Sequence, residues 1–168
     1  IPLSLGLFQF RGKVYSALLK LLLLPQILPA FFSILISFSI LKPFPFGSVG
    51  ISFIFTLVHL GFAVVLLHAA IREKIGPFAV VSEVYNLSYM QFLRKIFFPL
   101  LRLDFLTCFL MIFIFCFSSF SIPLVAGGGK DTNLEVLIFE KIFISQNWSG
   151  AWLISILQSL FLTGMSLL

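Results

Sequence analysis

Three stretches of this sequence run for about the thickness of a bilayer without one charged residue: Leu21 to Leu41, Ile51 to Ala70 and Phe105 to Ile122. A hydrocarbon core of about 30 Å takes roughly 20 apolar residues in a helix. Runs this long do not form strands, and a backbone in lipid must satisfy its own hydrogen bonds, which leaves helices. Ala151 to Leu168 is a fourth apolar run. A water-soluble fold is excluded on composition: 10% of residues are charged and 23 are Phe, where soluble domains carry roughly 25% charged residues. A small globule buries only about two-thirds of the surface its unfolded chain exposes, so the surplus Phe and Leu would form aggregating patches. The expected fold is all-α, a polytopic transmembrane helical bundle.

The spans are expected over about 21–41, 51–70, 105–122 and 151–168, with a loop over about 71–102 and a second connecting segment over about 123–148. Beginning at Ile1 and closing in an apolar run at Leu168, the chain reads as a fragment of a longer polypeptide. IPLSLGLFQF has no basic region before it and no small-residue cleavage site after it, so it reads as the tail of a preceding span and not as a signal peptide. Pro25 and Pro29 lie where a kink in the first span is tolerable. Leu41 to Gly50, LKPFPFGSVG, is a turn between spans.

Orientation follows from the cations. Alternating spans put Arg11, Lys13, Lys20, Arg72, Lys74, Arg94, Lys95 and Arg102 on one side, eight of the eleven Lys and Arg, against Lys42, Lys130 and Lys141 on the other. The loop of residues 71–102 is therefore expected in the cytoplasm and the segment 123–148 outside. The net charge of +5 reads as an orientation signal. Nucleic acid is not an expected partner, because the cations spread along one membrane face.

SEVYNLSYMQFLRKIFFPLLR, Ser82 to Arg102, is the cationic, aromatic interruption between two spans. Gly76 and Pro77 can open a short helix. Ser88 and Gln91 have the spacing of a capping box, with Leu87 and Phe92 placed as its hydrophobic staple, so a second helix starts near Ser88 and runs to Phe98. Pro99 would end it or begin the next span. On that helix Tyr89, Phe92, Leu93 and Ile96 share a stripe while Gln91, Arg94 and Lys95 face elsewhere. Periodicity allows two outcomes: a protruding lever for a partner, or an amphipathic segment lying on anionic headgroups.

This segment resembles the cytoplasmic loop of the permease subunits of binding-protein-dependent ABC importers, whose motif reads Glu-Ala-Ala-x3-Gly-x9-Ile-x-Leu-Pro. Anchored on Pro99, Ile96 stands on the motif Ile, Phe98 on the Leu, Asn86 on the Gly, Ser82 and Val81 on the two Ala, and Val80 on the Glu. FLRKIFFPLLR is similar to the family's Phe-Arg-Arg-Val-x-Leu-Pro-Leu-Leu-Arg. Arg11 to Ala30 is similar to the basic turn and proline-bearing span of these permeases. Ser121 to Ile142 resembles the outer segment of the iron(III) and thiamine group, where a Gly triplet precedes a short helix.

The resemblance implies a type I permease-like domain in the bacterial inner membrane that couples ATP hydrolysis in a separate cassette ATPase to uptake of a small solute, iron(III) or thiamine. The other implied partners are a second permease half, an external solute-binding protein and membrane lipid. It also implies that Val80, Val81, Ser82, Asn86, Tyr89, Phe92, Leu93, Arg94, Lys95, Ile96, Phe98 and Pro99 form the ATPase interface. Tyr89, Phe92, Leu93 and Ile96 would fill the groove, and Arg94 and Lys95 would meet its acidic rim. The alternative class is an ion-coupled carrier or a membrane assembly protein without an ATPase.

No catalytic or cofactor pattern competes with transport. Gly127-Gly128-Gly129-Lys130 has Leu124 and Asp131 where a phosphate loop needs Gly and Ser or Thr, so it reads as a flexible external turn. Cys108 and Cys116 have neither zinc-ligand nor disulfide-framework spacing and read as packing residues. His59 and His68 are nine apart, which at about 100° per residue puts them on opposite faces of a helix, so they do not share a metal. His59 could line a substrate path, or hydrogen-bond a neighbouring helix, and Gln26 and Gln158 carry the same two readings. Asn147-Trp148-Ser149 and Asn86-Leu87-Ser88 fit a glycosylation sequon, a tripeptide common by chance. The three complete spans carry no Asp, Glu, Lys or Arg, which argues against ion coupling.

Overall fold

The computed structural model describes residues 13–75, 78 and 88–167. Among them the regular elements are helices: α1 (Lys13–Ile27), α2 (Ala30–Ile40), α3 (Ser48–Lys74), α4 (Tyr89–Phe92), a π-helical turn (Leu93–Phe97), α5 (Phe98–Phe117), α6 (Ser121–Ala126), α7 (Leu134–Phe143) and α8 (Trp148–Ser166). Among the described residues three continuous helices are long and apolar enough to cross a membrane, Ser48–Lys74, Met90–Phe117 and Trp148–Ser166, and there are four if the bent pair of α1 and α2 counts as one span.

Two of these differ from the expected spans. The first is not a straight helix over 21–41: α1 and α2 are bent by 102° at Leu28 and Pro29. Pro29 has no N–H to give and its ring crowds the carbonyl four residues back, while Leu28, the residue before a proline, is pushed out of helical backbone. Pro25 stays inside α1. The third span does not reach Ile122, because α5 stops at Phe117 and α6 is a separate short helix. At its other end the helix continues through Pro99 without a break. There the Phe98 N–H reaches back to Leu93 O, one residue farther than in an α-helix. The wider turn gives the Pro99 ring room against the preceding carbonyls.

The chain forms two compact units, Ile1–Leu24 with Leu60–Phe109, and Pro25–His59 with Leu110–Leu168. In the first, Ile71, Ile75, Phe97 and Leu101 make a buried core, flanked by half-buried Phe92, Leu93, Ile96 and Leu100. Gly61 is required by close backbone approach: a Cβ there would lie 1.6 Å from Leu22 O.

In the second unit Ile34, Ile54, Ile122 and Ala126 form the core. Phe38, Phe44 and Phe46 cluster beside it with ring centroids 4.4 to 5.5 Å apart. The small side chains Ser33 and Ser37, one turn apart on α2, are both fully buried and let α2 pack on α6. The Gly triplet, expected as a flexible turn, is packed at Gly127 and Gly128. Gly128 holds φ +58 with its Cα against the Phe46 side chain, where a Cβ would sit 2.9 Å from two of its carbons. Asp131, just beyond it, accepts from the Ser48 N–H at the start of α3. The Gly47 N–H donates to Ala126 O at 3.0 Å. Side-chain amides cap both later helices: Asn133 accepts from Val136 N at 3.1 Å and Asn147 from Gly150 N at 2.9 Å. Asn147, read as part of a chance sequon, is thus a helix cap.

Candidate functional site

The loop that follows α3 begins its described return at Ser88. The capping box expected from the Ser88 and Gln91 spacing forms: the Ser88 N–H donates to Gln91 Oε1 at 3.2 Å and the Gln91 N–H to Ser88 Oγ at 3.4 Å. Two orphan donors at the helix start are satisfied reciprocally. Val80, Val81, Ser82 and Asn86, together with the expected helix from Pro77 and the staple residue Leu87, lie outside the described residues. Tyr89 is placed here by its backbone, at the first position of α4.

From Met90 onward the helix has two faces. Phe92, Leu93 and Ile96 are half-buried and pack on the unit's own core, around Phe97, which is 2% exposed. Met90, Gln91, Arg94, Lys95, Phe98 and Pro99 are exposed. The apolar stripe assigned to a partner's groove therefore holds the helix to α3. The basic pair, with Met90, Gln91 and Phe98, is what the chain presents outward. Periodicity identified the stripe but could not tell an internal apolar neighbour from an external one. Phe97, the centre of that core, was missed although it lies four residues after Leu93 and so continues the same stripe one position past Ile96.

The two flanks of the loop are joined by an ion pair. Lys74 Nζ, in the last turn of α3, donates to Asp104 Oδ1 at 2.9 Å and Oδ2 at 2.7 Å, on α5. Both side chains are partly exposed, so the pair contributes about 0.2 to 1 kcal/mol. No sequence signal joined these residues, which lie on either side of the loop.

In the second unit, His59 is buried, and its Nδ1 donates to Gln26 Oε1 at 3.1 Å. Its ring stacks between Phe55 and Phe115 at centroid distances of 6.0 and 5.9 Å. Gln158, also buried, donates from Nε2 to Glu135 Oε1 at 2.6 Å. Among the described residues no group of three or more His, Cys, Asp or Glu could hold a metal ion.

These features define a class first: a multi-pass α-helical membrane protein with a basic, capped helix beginning at Ser88 between two of its spans. The whole chain, residues 1–168, matches the family described as binding-protein-dependent transport system inner membrane component. The chain belongs to that family of transport permease components. It is similar to the thiamine transport system permease protein ThiP of Haemophilus influenzae, with 36% identity over 77 residues. That match takes in 45% of this chain and 14% of the relative's length. No solved structure matches the chain.

Proposed function

We propose that this chain is part of the membrane component of an ATP-driven importer in the bacterial cytoplasmic membrane, and that its loop after α3 receives force from a separate ATPase subunit. The observation that carries this is the outward face of Met90, Gln91, Arg94, Lys95 and Phe98, mounted on a stem whose inner face is bound to the core. A lever needs both: a free face for the partner and a rigid attachment to the spans. Val80, Val81, Ser82, Asn86 and Tyr89 would extend the same interface. The excess of cations on this side supports a cytoplasmic loop, with the segment 123–148 outside, where a solute-binding protein would dock. A second permease half would complete the pathway. Thiamine is the solute suggested by the relative.

The test is ATP-dependent uptake of thiamine into proteoliposomes holding the full-length permease, its ATPase and its binding protein. Arg94→Glu with Lys95→Glu should insert and fold normally yet reduce uptake about tenfold, since reversed charge at an interface both weakens and misdirects docking. Undiminished uptake by that variant, or uptake driven by an ion gradient without ATP, would overturn the proposal.

A further inference from the structure

The bend between α1 and α2 interrupts the backbone hydrogen-bond ladder at mid-membrane depth. Gln26, in the last turn of α1, holds His59 Nδ1 at 3.1 Å. His59 lies two residues from Gly61, the midpoint of α3 (Ser48–Lys74). A helix of that length runs about 40 Å, more than the hydrocarbon thickness of about 30 Å, so its midpoint lies near the bilayer centre. Gln26 and the break that begins at Leu28 therefore lie near the centre too. The carbonyls of Pro25, Gln26, Ile27 and Leu28 receive no hydrogen bond among the described residues, and the N–H groups of Ala30 and Phe31 give none. Pro29 accounts for the first of these, since it has no N–H to give to the Pro25 carbonyl.

Lipid does not tolerate such a break. An unpaired backbone group is costly in hydrocarbon, and non-helical backbone at that depth persists only where protein covers it or water reaches it. The chain itself leaves the break open: Ile27 on one side is 76% exposed and Phe31 on the other 58%. An apolar helix laid over it would not serve either, because its own N–H and C=O groups are spent along its axis. Water remains. A second observation points the same way. Gln26 spends its Oε1 on His59, while its Nε2 has no acceptor among the described residues and, unlike the enclosed Ser33 Oγ, is not buried. A half-open amide in the middle of a span is a polar group that lipid would not accommodate and water would.

We infer that the bend between α1 and α2 lines a water-filled solute path near the centre of the membrane. Its polar wall is made of the carbonyls of Pro25 to Leu28, the N–H groups of Ala30 and Phe31, and the Gln26 amide. A wall that both accepts and donates suits a hydrated solute rich in hydrogen-bonding groups and gives an apolar one no hold. This rests on the importer reading above and deepens it by naming the route of the solute and its chemical class.

The test uses the full-length permease in lipid nanodiscs. In the wild-type protein the Ala30 and Phe31 amides should exchange hydrogen for deuterium at least about a hundredfold faster than those of Val58 to Phe62, which lie at similar depth in unbroken α3. That readout needs no variant to fold. In a variant whose native cysteines are replaced by serine, Ile27→Cys and Phe31→Cys should react with a charged thiosulfonate at least about tenfold faster than Leu157→Cys, since the reacting thiolate forms only where water reaches. Leu157 is as exposed as Phe31 but sits in unbroken α8. Slow exchange at Ala30 and Phe31, or equal thiol rates at all three positions, would each overturn the inference by putting lipid or another helix over the bend. Absence of ATP-dependent uptake in the assembled system, with fast exchange and labelling intact, would instead count against the importer reading and leave the water-filled path standing.

Discussion

The two units hold themselves together by different means. In the unit that carries the basic loop, the core of Ile71, Ile75, Phe97 and Leu101 is closed by side-chain contacts and by the partly exposed Lys74 and Asp104 pair. In the other, backbone groups do the closing: Asp131 on the Ser48 N–H, Gly47 on Ala126 O, and Asn133 and Asn147 on the starts of α7 and α8. Water-reachable side-chain contacts break and re-form at low cost. A helix-end N–H that loses its side-chain cap is left as one of the orphan donors of the helix's first turn. The first arrangement suits an element that a partner works on, and the second suits a scaffold.

Three substitutions test that contrast. The largest effect is expected in the first unit at Gly61, where even one methyl group meets the Leu22 carbonyl oxygen. A backbone atom cannot step aside as a side chain does, so Gly61→Ala should cost about 3 kcal/mol in denaturant unfolding and sharply lower the yield of monodisperse protein. Next comes Asp131→Ala, which removes the acceptor at the start of α3. It should cost about 1 to 2 kcal/mol, seen as faster hydrogen exchange at Ser48 and its neighbours, and Asp131→Asn should recover most of it. The smallest is Lys74→Met, expected to cost about 0.5 kcal/mol at low salt and less at high salt. The exchange Lys74→Asp with Asp104→Lys should restore that loss. A large, salt-independent effect at Lys74, or none at Asp131, would erase the contrast between the units.

The loop shows how far the sequence could be read. The Ser88 and Gln91 capping box was legible because its partners are three residues apart, and it forms. The stripe of Phe92, Leu93 and Ile96 was legible as apolar, yet what covers it depends on Ile71 and Ile75, contributed by another helix. Charges placed on Phe92 or Ile96 would therefore damage the unit's own core before testing any partner, and Arg94 and Lys95 give the cleaner experiment. Pro99 was legible as a disturbance but not as a π-helical turn, because an extra residue in a turn leaves no periodic signature. For the Gly triplet, composition suggested flexibility, while the Phe46 side chain and the Ser48 N–H hold that loop in place.

By itself the sequence determined that the chain lies in a membrane as helices, which segments are apolar enough to cross it, and that a basic, capped loop interrupts them. Uncharged length and short-range spacing suffice for those, since each depends on residues within a few turns of one another. Only the tertiary structure decided which face of the loop helix is free, that α1 and α2 bend apart at Pro29, that Asp131 caps a helix 83 residues earlier in the chain, and that Glu135 meets Gln158. Each of those turns on which distant segment arrives alongside, and local hydrophobicity is the same whether the neighbour is lipid, a partner or the chain itself.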